Sequence, residues 1–438
     1  MVLEDIEMKI CSKKDIKFIT GVLAASLLLG GCSIGKAKEK PLENDPKVKT
    51  EINLSKVSDT DYDEDEMNAL YRNYCCNIFS ETIKVYGGNG NVMISPASIM
   101  MAFDMVAAGA KGDSLKQLTD LFAAGQGPLT QQAYAASLMD KINNSKDVHF
   151  TCANAIWNNE ILLGNKVNAE YVDYVKETFL AEYKITAFDN STPNEINDWI
   201  YKHTDKMIEK VVDKLDPATV MVLVNAISFI GEWEKEYEDS QINDGKFTKA
   251  DGQQQDATFL SDATRTYFET EKATGFMKAY KGGEYAFLAI LPADESINAN
   301  EFAKNFTAED YEKFIKSSTT QYDVYSTMPE FKSDFEILIN ESIRNLGCTD
   351  IFDEKKADLS GIAGEPGDIF VSKAIHKTHI EVDRNGTKAS AVTVIIAETN
   401  AAIEEPEFKV VNCDRPFVYA IVDVKTMAPV FMGTVNEI

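Results

Sequence analysis

The chain has no C-x-x-C pair, only four histidines in 438 residues, and no glycine-rich phosphate loop. After Cys11 and Cys32 its cysteines are Cys75, Cys76, Cys152, Cys348 and Cys413, an odd number without metal-ligand spacing. Neither a metal site nor a disulfide framework is expected, and Cys75 and Cys76 read as small hydrophobes buried on a helix. His376 and His379 stand three apart in a strand-like run, so they would face opposite sides and make poor co-ligands. The one S-x-x-K string, Ser33-Ile34-Gly35-Lys36, lies in a polar stretch where nothing would hold a nucleophile in place. A triad assembled from distant residues stays open, but the sequence points to no enzyme, no cofactor and no metal.

Excess positive charge is missing too. The formal net charge is -26, which argues against nucleic acid, polyanions or an anionic lipid surface as the main partner and favours a basic protein. A long apolar run is also absent. Phe18 to Leu29, preceded by Lys13, Lys14 and Lys17, is too short to span a bilayer comfortably and reads as a targeting segment. It ends in Leu29-Gly30-Gly31-Cys32, which resembles the lipobox of bacterial lipoproteins. That resemblance implies a signal peptide over residues 1–31, lipidation of Cys32 and attachment to the bacterial membrane on its extracellular side. Glu4, Asp5 and Glu7 precede Met8 and are odd in a signal, so translation could begin at Met8.

What is present is material for a core, with 44% hydrophobic and 10% aromatic residues. Residues 32–66 are polar, without apolar periodicity, and read as a flexible acidic tether. Met67, Leu70, Tyr71, Tyr74, Ile78, Phe79 and Ile83 recur at helical spacing, and Gly87-Gly88 would end that helix. Helical patterns dominate the first half, while strand-like runs such as Ala286 to Leu291 and Val418 to Val422 lie mostly in the second. This distribution predicts an α+β fold.

One segment is ambiguous between loop and strand. Taken alternately from Thr387, one face carries Thr387, Ala389, Ala391, Thr393, Ile395 and Ala397, all uncharged and mostly small. Such a face could enter a sheet without burying a charge. The framework around it is ordered. Asn91-Val92-Met93-Ile94-Ser95-Pro96-Ala97-Ser98-Ile99 and Gly109-Ala110-Lys111-Gly112 come first, then Ile196-Asn197-Asp198-Trp199-Ile200 and Val222 to Ile227 continuing to Trp233. Ala357 to Ile362, Val371 to Lys377 and Asn385-Gly386-Thr387 follow, and then Asn412 to Tyr419 and Ala428 to Val435. In order and spacing these resemble the serpin family, from Met67 to Ile438.

The resemblance implies helices packed around a large central sheet and two smaller ones, with a reactive-centre loop at about 384–408. It implies no catalytic residue of the chain's own. Its function would be suicide inhibition of a protease, trapped as an acyl-enzyme by a monomeric inhibitor. Gly386, Thr387, Lys388, Ala389, Ser390 and Ala391 match the loop hinge. Ser95, Ser98, Asn225 and His376 match a hydrogen-bonded cluster where the sheet opens, and Trp233 matches the upper sheet. Family spacing from Gly386 places the scissile bond between Asn400 and Ala401, with Thr399 as the alternative for the bait residue. No Arg, Lys or aromatic residue stands there, which suits an elastase-like or subtilisin-like serine protease. Asn400 also suits a cysteine protease. Arg384 departs from the family's usual Glu. A non-inhibitory serpin acting as a surface binding protein would share the framework. An adhesin or solute-binding lipoprotein would explain the anchor but not the ordered motifs.

Overall fold

The computed structural model describes residues 52, 54–163, 167–204, 212–216, 219–387 and 407–438. Among them are ten helices: α1 (Glu64–Tyr86), α2 (Pro96–Ala107), α3 (Gly112–Ala123), α4 (Pro128–Asn143), α5 (Glu160–Leu163), α6 (Ala169–Phe179), α7 (Thr192–His203), α8 (Ala299–Asn305), α9 (Ala308–Lys316) and α10 (Asn340–Asn345). The strands are β1 (Met93–Ile94), β2 (Val148–Asn159), β3 (Glu182–Thr186), β4 (Met221–Glu232), β5 (Ile242–Thr248), β6 (Gln254–Thr264), β7 (Thr266–Glu269) and β8 (Ala273–Ala279), then β9 (Tyr285–Pro292), β10 (Asp323–Pro329), β11 (Phe331–Leu338), β12 (Val371–Val382), β13 (Gly386–Thr387), β14 (Phe408–Asn412), β15 (Phe417–Asp423) and β16 (Pro429–Val435). They form a main six-stranded sheet in the order β11-β12-β13-β4-β2-β3, a second of six, β1-β16-β15-β9-β8-β7, and a third of four, β14-β10-β6-β5. The α+β expectation holds.

Helix α1 follows its sequence signals. The Asp63 side chain accepts from Glu66 N at 3.0 Å, and three acidic residues fill the first turn, where the helix dipole favours them. Met67, Tyr71, Tyr74, Cys75, Ile78, Phe79 and Ile83 are buried along one stripe, and Gly87 caps the end. The expected tether runs too far, however. Ile52, Leu54 and Val57 are buried in the core, and Leu54–Asp59 is a turn of 3₁₀ helix against α4. Three apolar side chains scattered among Lys, Asp and Ser are too sparse to show periodicity, yet enough to fill a groove. The folded part therefore starts well before Met67.

The main sheet is covered on both faces, and strand alternation shows how. Val222, Val224 and Ala226 of β4 pack with Ile196, Trp199 and Ile200 of α7 in one cluster, joined by Ala155, Trp157 and Ile375. Leu223 and Ile227, on the alternate positions, join the principal core with α2. Helix α2 is buried at all twelve residues, started by Ser95 as N-cap and Pro96 at the first turn. An all-buried helix belongs inside a core. It packs against β4 and β16.

Candidate functional site

The site grows from one pairing. Strands β4 and β12 are parallel neighbours from Met221↔Val371 to Ser228↔His379. Beyond that point they part, and the two residues of β13 stand between them. Gly386 pairs with Glu232 and Thr387 with Gly231 on one side, while Thr387 pairs with Val382 on the other.

Asp383 to Gly386 make the turn that admits β13. Asp383 N donates to Gly386 O at 2.9 Å, and the Asp383 carboxylate accepts from Asn385 N at 2.7 Å and Gly386 N at 3.1 Å. Position 386 must be glycine, because a Cβ there would lie 2.1 Å from Gly231 O. Trp233, just past β4, holds the turn: its Nε1 donates to Asp383 O at 2.9 Å and its backbone N to Asn385 O at 3.0 Å. Tyr237 N donates to Arg384 O at 3.1 Å.

Thr387 itself is fully buried, its hydroxyl 2.7 Å from that of Tyr280. The Tyr280 ring stacks on Trp233 with centroids 4.6 Å apart. Behind this pair Lys278 Nζ bonds Asp262 at 2.6 Å and sits 4.1 Å from the Tyr237 ring centroid. Burial draws the Lys278 ammonium down from its usual range, against the raising effect of Asp262. Arg384 lies in an acidic setting, with Glu330 Oε1 accepting from its backbone N at 3.2 Å and Asp239 from its guanidinium at 3.2 Å. The departure from Glu is thus matched by its neighbours.

Lower on the same strand pair, the four residues assigned to a cluster do meet. His376 and Asn225 are register partners across β12 and β4, and Asn225 faces Asn154 on β2. Ser95 N donates to His376 Nε2 at 3.1 Å, and Ser95 Oγ donates to Val430 O at 2.7 Å. The Ser98 hydroxyl donates to Asn225 Oδ1. Asn225 Nδ2 passes the chain on to Asn154 Oδ1 at 2.7 Å, and Asn154 Nδ2 ends it on Phe179 O at 3.0 Å. The start of α2 is thereby tied to three strands. Because Nε2 accepts, the ring proton sits on Nδ1, which has no partner among the described residues. Burial holds the His376 imidazole down at about 3, so it is neutral.

Sequence reasoning missed Asn154, Tyr280, Thr378, which donates to Met93 O at 3.0 Å, and the Lys278–Asp262 pair. The available signal was polarity at inward positions of strands that are otherwise apolar. His376 and His379 do face apart: His379 bonds Asp334 on β11 at 2.8 Å. Hinge residues Lys388, Ala389, Ser390 and Ala391, bond residues Thr399, Asn400 and Ala401, and Cys32 lie outside the described residues. Gly31-Cys32-Ser33-Ile34-Gly35, which has the spacing of a G-x-S-x-G nucleophile elbow, lies outside them as well.

Comparison with known proteins gives the same frame. The family described as Serpin (serine protease inhibitor) matches residues 69–438. Leukocyte elastase inhibitor A of Mus musculus is 28% identical over 367 residues, covering 81% of this chain and 95% of its own. The thermophilic serpin tengpin in its native state superposes with a TM-score of 0.78 at 34% identity, covering 86% of this chain and 96% of that one. Tengpin in its latent state gives 0.72 at 32% identity, with 86% and 98% covered. A family match that spans all three sheets, the hinge turn and the buried cluster leaves one assignment: the chain belongs to the serpin family.

Proposed function

We propose that the protein is a suicide inhibitor of an elastase-like or subtilisin-like serine protease, with Asn400–Ala401 as the scissile bond. The observation that carries this reading is the position of Thr387, already paired between β4 and β12 at the head of an otherwise closed parallel pair. A serine hydroxyl attacks the carbonyl carbon of Asn400, the peptide bond to Ala401 breaks, and the departing amine takes a proton. The ester stays on Asn400. Freed at that end, residues after Thr387 enter between β4 and β12, and the fourteen steps from Gly386 to Asn400 at ~3.3 Å each carry the protease roughly 46 Å. Deacylation needs an oxyanion hole correct to a fraction of an ångström, and displacement of the bound ester destroys it.

The small residues around the bond, and a relative named for elastase inhibition, support this target class. The decisive experiment mixes the protein with a pancreatic elastase and, separately, a subtilisin, followed by denaturing gels and intact mass. A boiling-resistant band and a released peptide beginning at Ala401 are expected. Cleavage with no covalent band from either protease would refute inhibition, and a peptide beginning elsewhere would move the bond.

Cys32 is proposed as a lipid anchor that holds the inhibitor at the outer face of a bacterial membrane. Cys32→Ala should release it from the detergent-extracted membrane fraction into the aqueous phase; partition unchanged by the substitution would sink the anchor.

A further inference from the structure

The four-stranded sheet carries an apolar patch that its own fold does not use. On the edge strand β14, Phe408 is 52% exposed and Val410 69%, and on neighbouring β10 Tyr325 is 53% exposed. Val410 lies opposite Tyr325 in the register, and the Tyr325 and Phe408 rings are 5.3 Å apart, so the three side chains are contiguous. Alternation confirms that they point outward. Val411 is fully buried, and Lys409 turns to Glu269 at 3.5 Å. Ala263 of β6, opposite Tyr325, is exposed and extends the surface. An outward sheet face and an open edge are ordinarily polar. A contiguous apolar surface at such a place marks an interaction site.

Chain connectivity and charge select the occupant. Seven residue steps separate Ala401 from Phe408, so the bond lies at most about 24 Å from the patch at ~3.4 Å per step. A protease of common size has a radius of gyration of about 17 Å. The body of a protease holding that bond is therefore within reach of β14. Glu404, Glu405 and Glu407 occur between bond and patch, and the whole chain carries -26. A second copy or an anionic bilayer would meet repulsion there, whereas a protein with basic side chains around an apolar face would be drawn in.

We propose that Tyr325, Phe408 and Val410 form a docking patch for the body of the target protease, apart from the bait residues that enter its active site. The patch rests on the inhibitory reading given above. It sets how fast the protease is captured, while the loop decides what happens after cleavage.

The test compares the unsubstituted protein with Val410→Asp and with Val410→Asp/Tyr325→Ser, using whichever of pancreatic elastase and subtilisin it traps faster. The association rate constant should fall by about tenfold, with stoichiometry of inhibition and thermal midpoint unchanged. Both side chains are more than half exposed, so the variants should fold, and Val410→Ala, with a smaller loss of rate, provides a milder check. Rates equal to the unsubstituted protein would overturn the patch and leave the inhibitory reading standing. So would dimers of the unsubstituted protein that Val410→Asp abolishes, or binding to phosphatidylcholine vesicles that it abolishes in the Cys32→Ala background. No covalent complex with either protease would overturn both.

Discussion

Thr387 has no solvent exposure, and its surroundings are the backbone of β4, the end of β12 and the Tyr280 hydroxyl. An arginine there would have to bury a guanidinium against apolar rings, or leave the slot. Thr387→Arg should therefore leave cleavage of the loop intact and convert the protein from inhibitor to substrate, read as loss of the boiling-resistant band. An undiminished covalent band would show that the first step of insertion tolerates a charge. Ser95, Ser98, Asn225 and His376 were legible in the sequence because each sits in a run with characteristic neighbours. Tyr280 and Lys278 were not, since Met277-Lys278-Ala279-Tyr280 reads as an ordinary half-exposed strand. Only the crossing of β8 behind Trp233 makes these two side chains part of the hinge.

At the scale of elements, His376, Asn225 and Asn154 form a row that ties β12, β4 and β2 together behind α2. The folded imidazole is depressed to about 3, while an opened or unfolded state would titrate near ~6.5. The opened state therefore gains its proton first as pH falls. The stability of the closed row is complete above about pH 6.5 and is lost progressively between there and about pH 3. Spontaneous loss of inhibitory activity on storage should accelerate across that window, by up to about tenfold per pH unit, and His376→Gln should flatten the dependence. A wild-type rate that stays constant from pH 7 to 4 would remove His376 from control of opening. Element boundaries were partly legible. The caps and apolar stripe of α1 fix its position, but a two-residue strand such as β13 has no periodicity of its own. The buried Ile52, Leu54 and Val57 were hidden for the same reason, too few apolar positions to form a pattern.

For the whole molecule, the order of motifs along the chain conveyed the family and its three sheets. It could not convey that β4 and β12, far apart in the chain, lie side by side from Met221↔Val371 to Ser228↔His379. That adjacency is a long-range fact, and local spacing does not encode it. Below β13, β4 pairs directly with β12, with no strand between them among the described residues. Cutting within residues 395–405 should then raise the thermal midpoint as the loop adds a strand to the main sheet. A cut protein melting at or below the intact one would mean that the loop does not enter.

The two residues of β13 also bear on rate. A strand that had to find its slot from free solution would face an entropic search to close the loop before forming any stabilising contact. Here the first rung is already in place, held by a glycine whose lack of a Cβ lets it approach Gly231 O and by a threonine bonded to Tyr280. Under the proposed mechanism, insertion would thereby need elongation but no nucleation. In the inhibitory reading proposed above, the parting of β4 from β12 would set its speed, and that speed against the lifetime of the ester would decide whether the protease is caught or escapes.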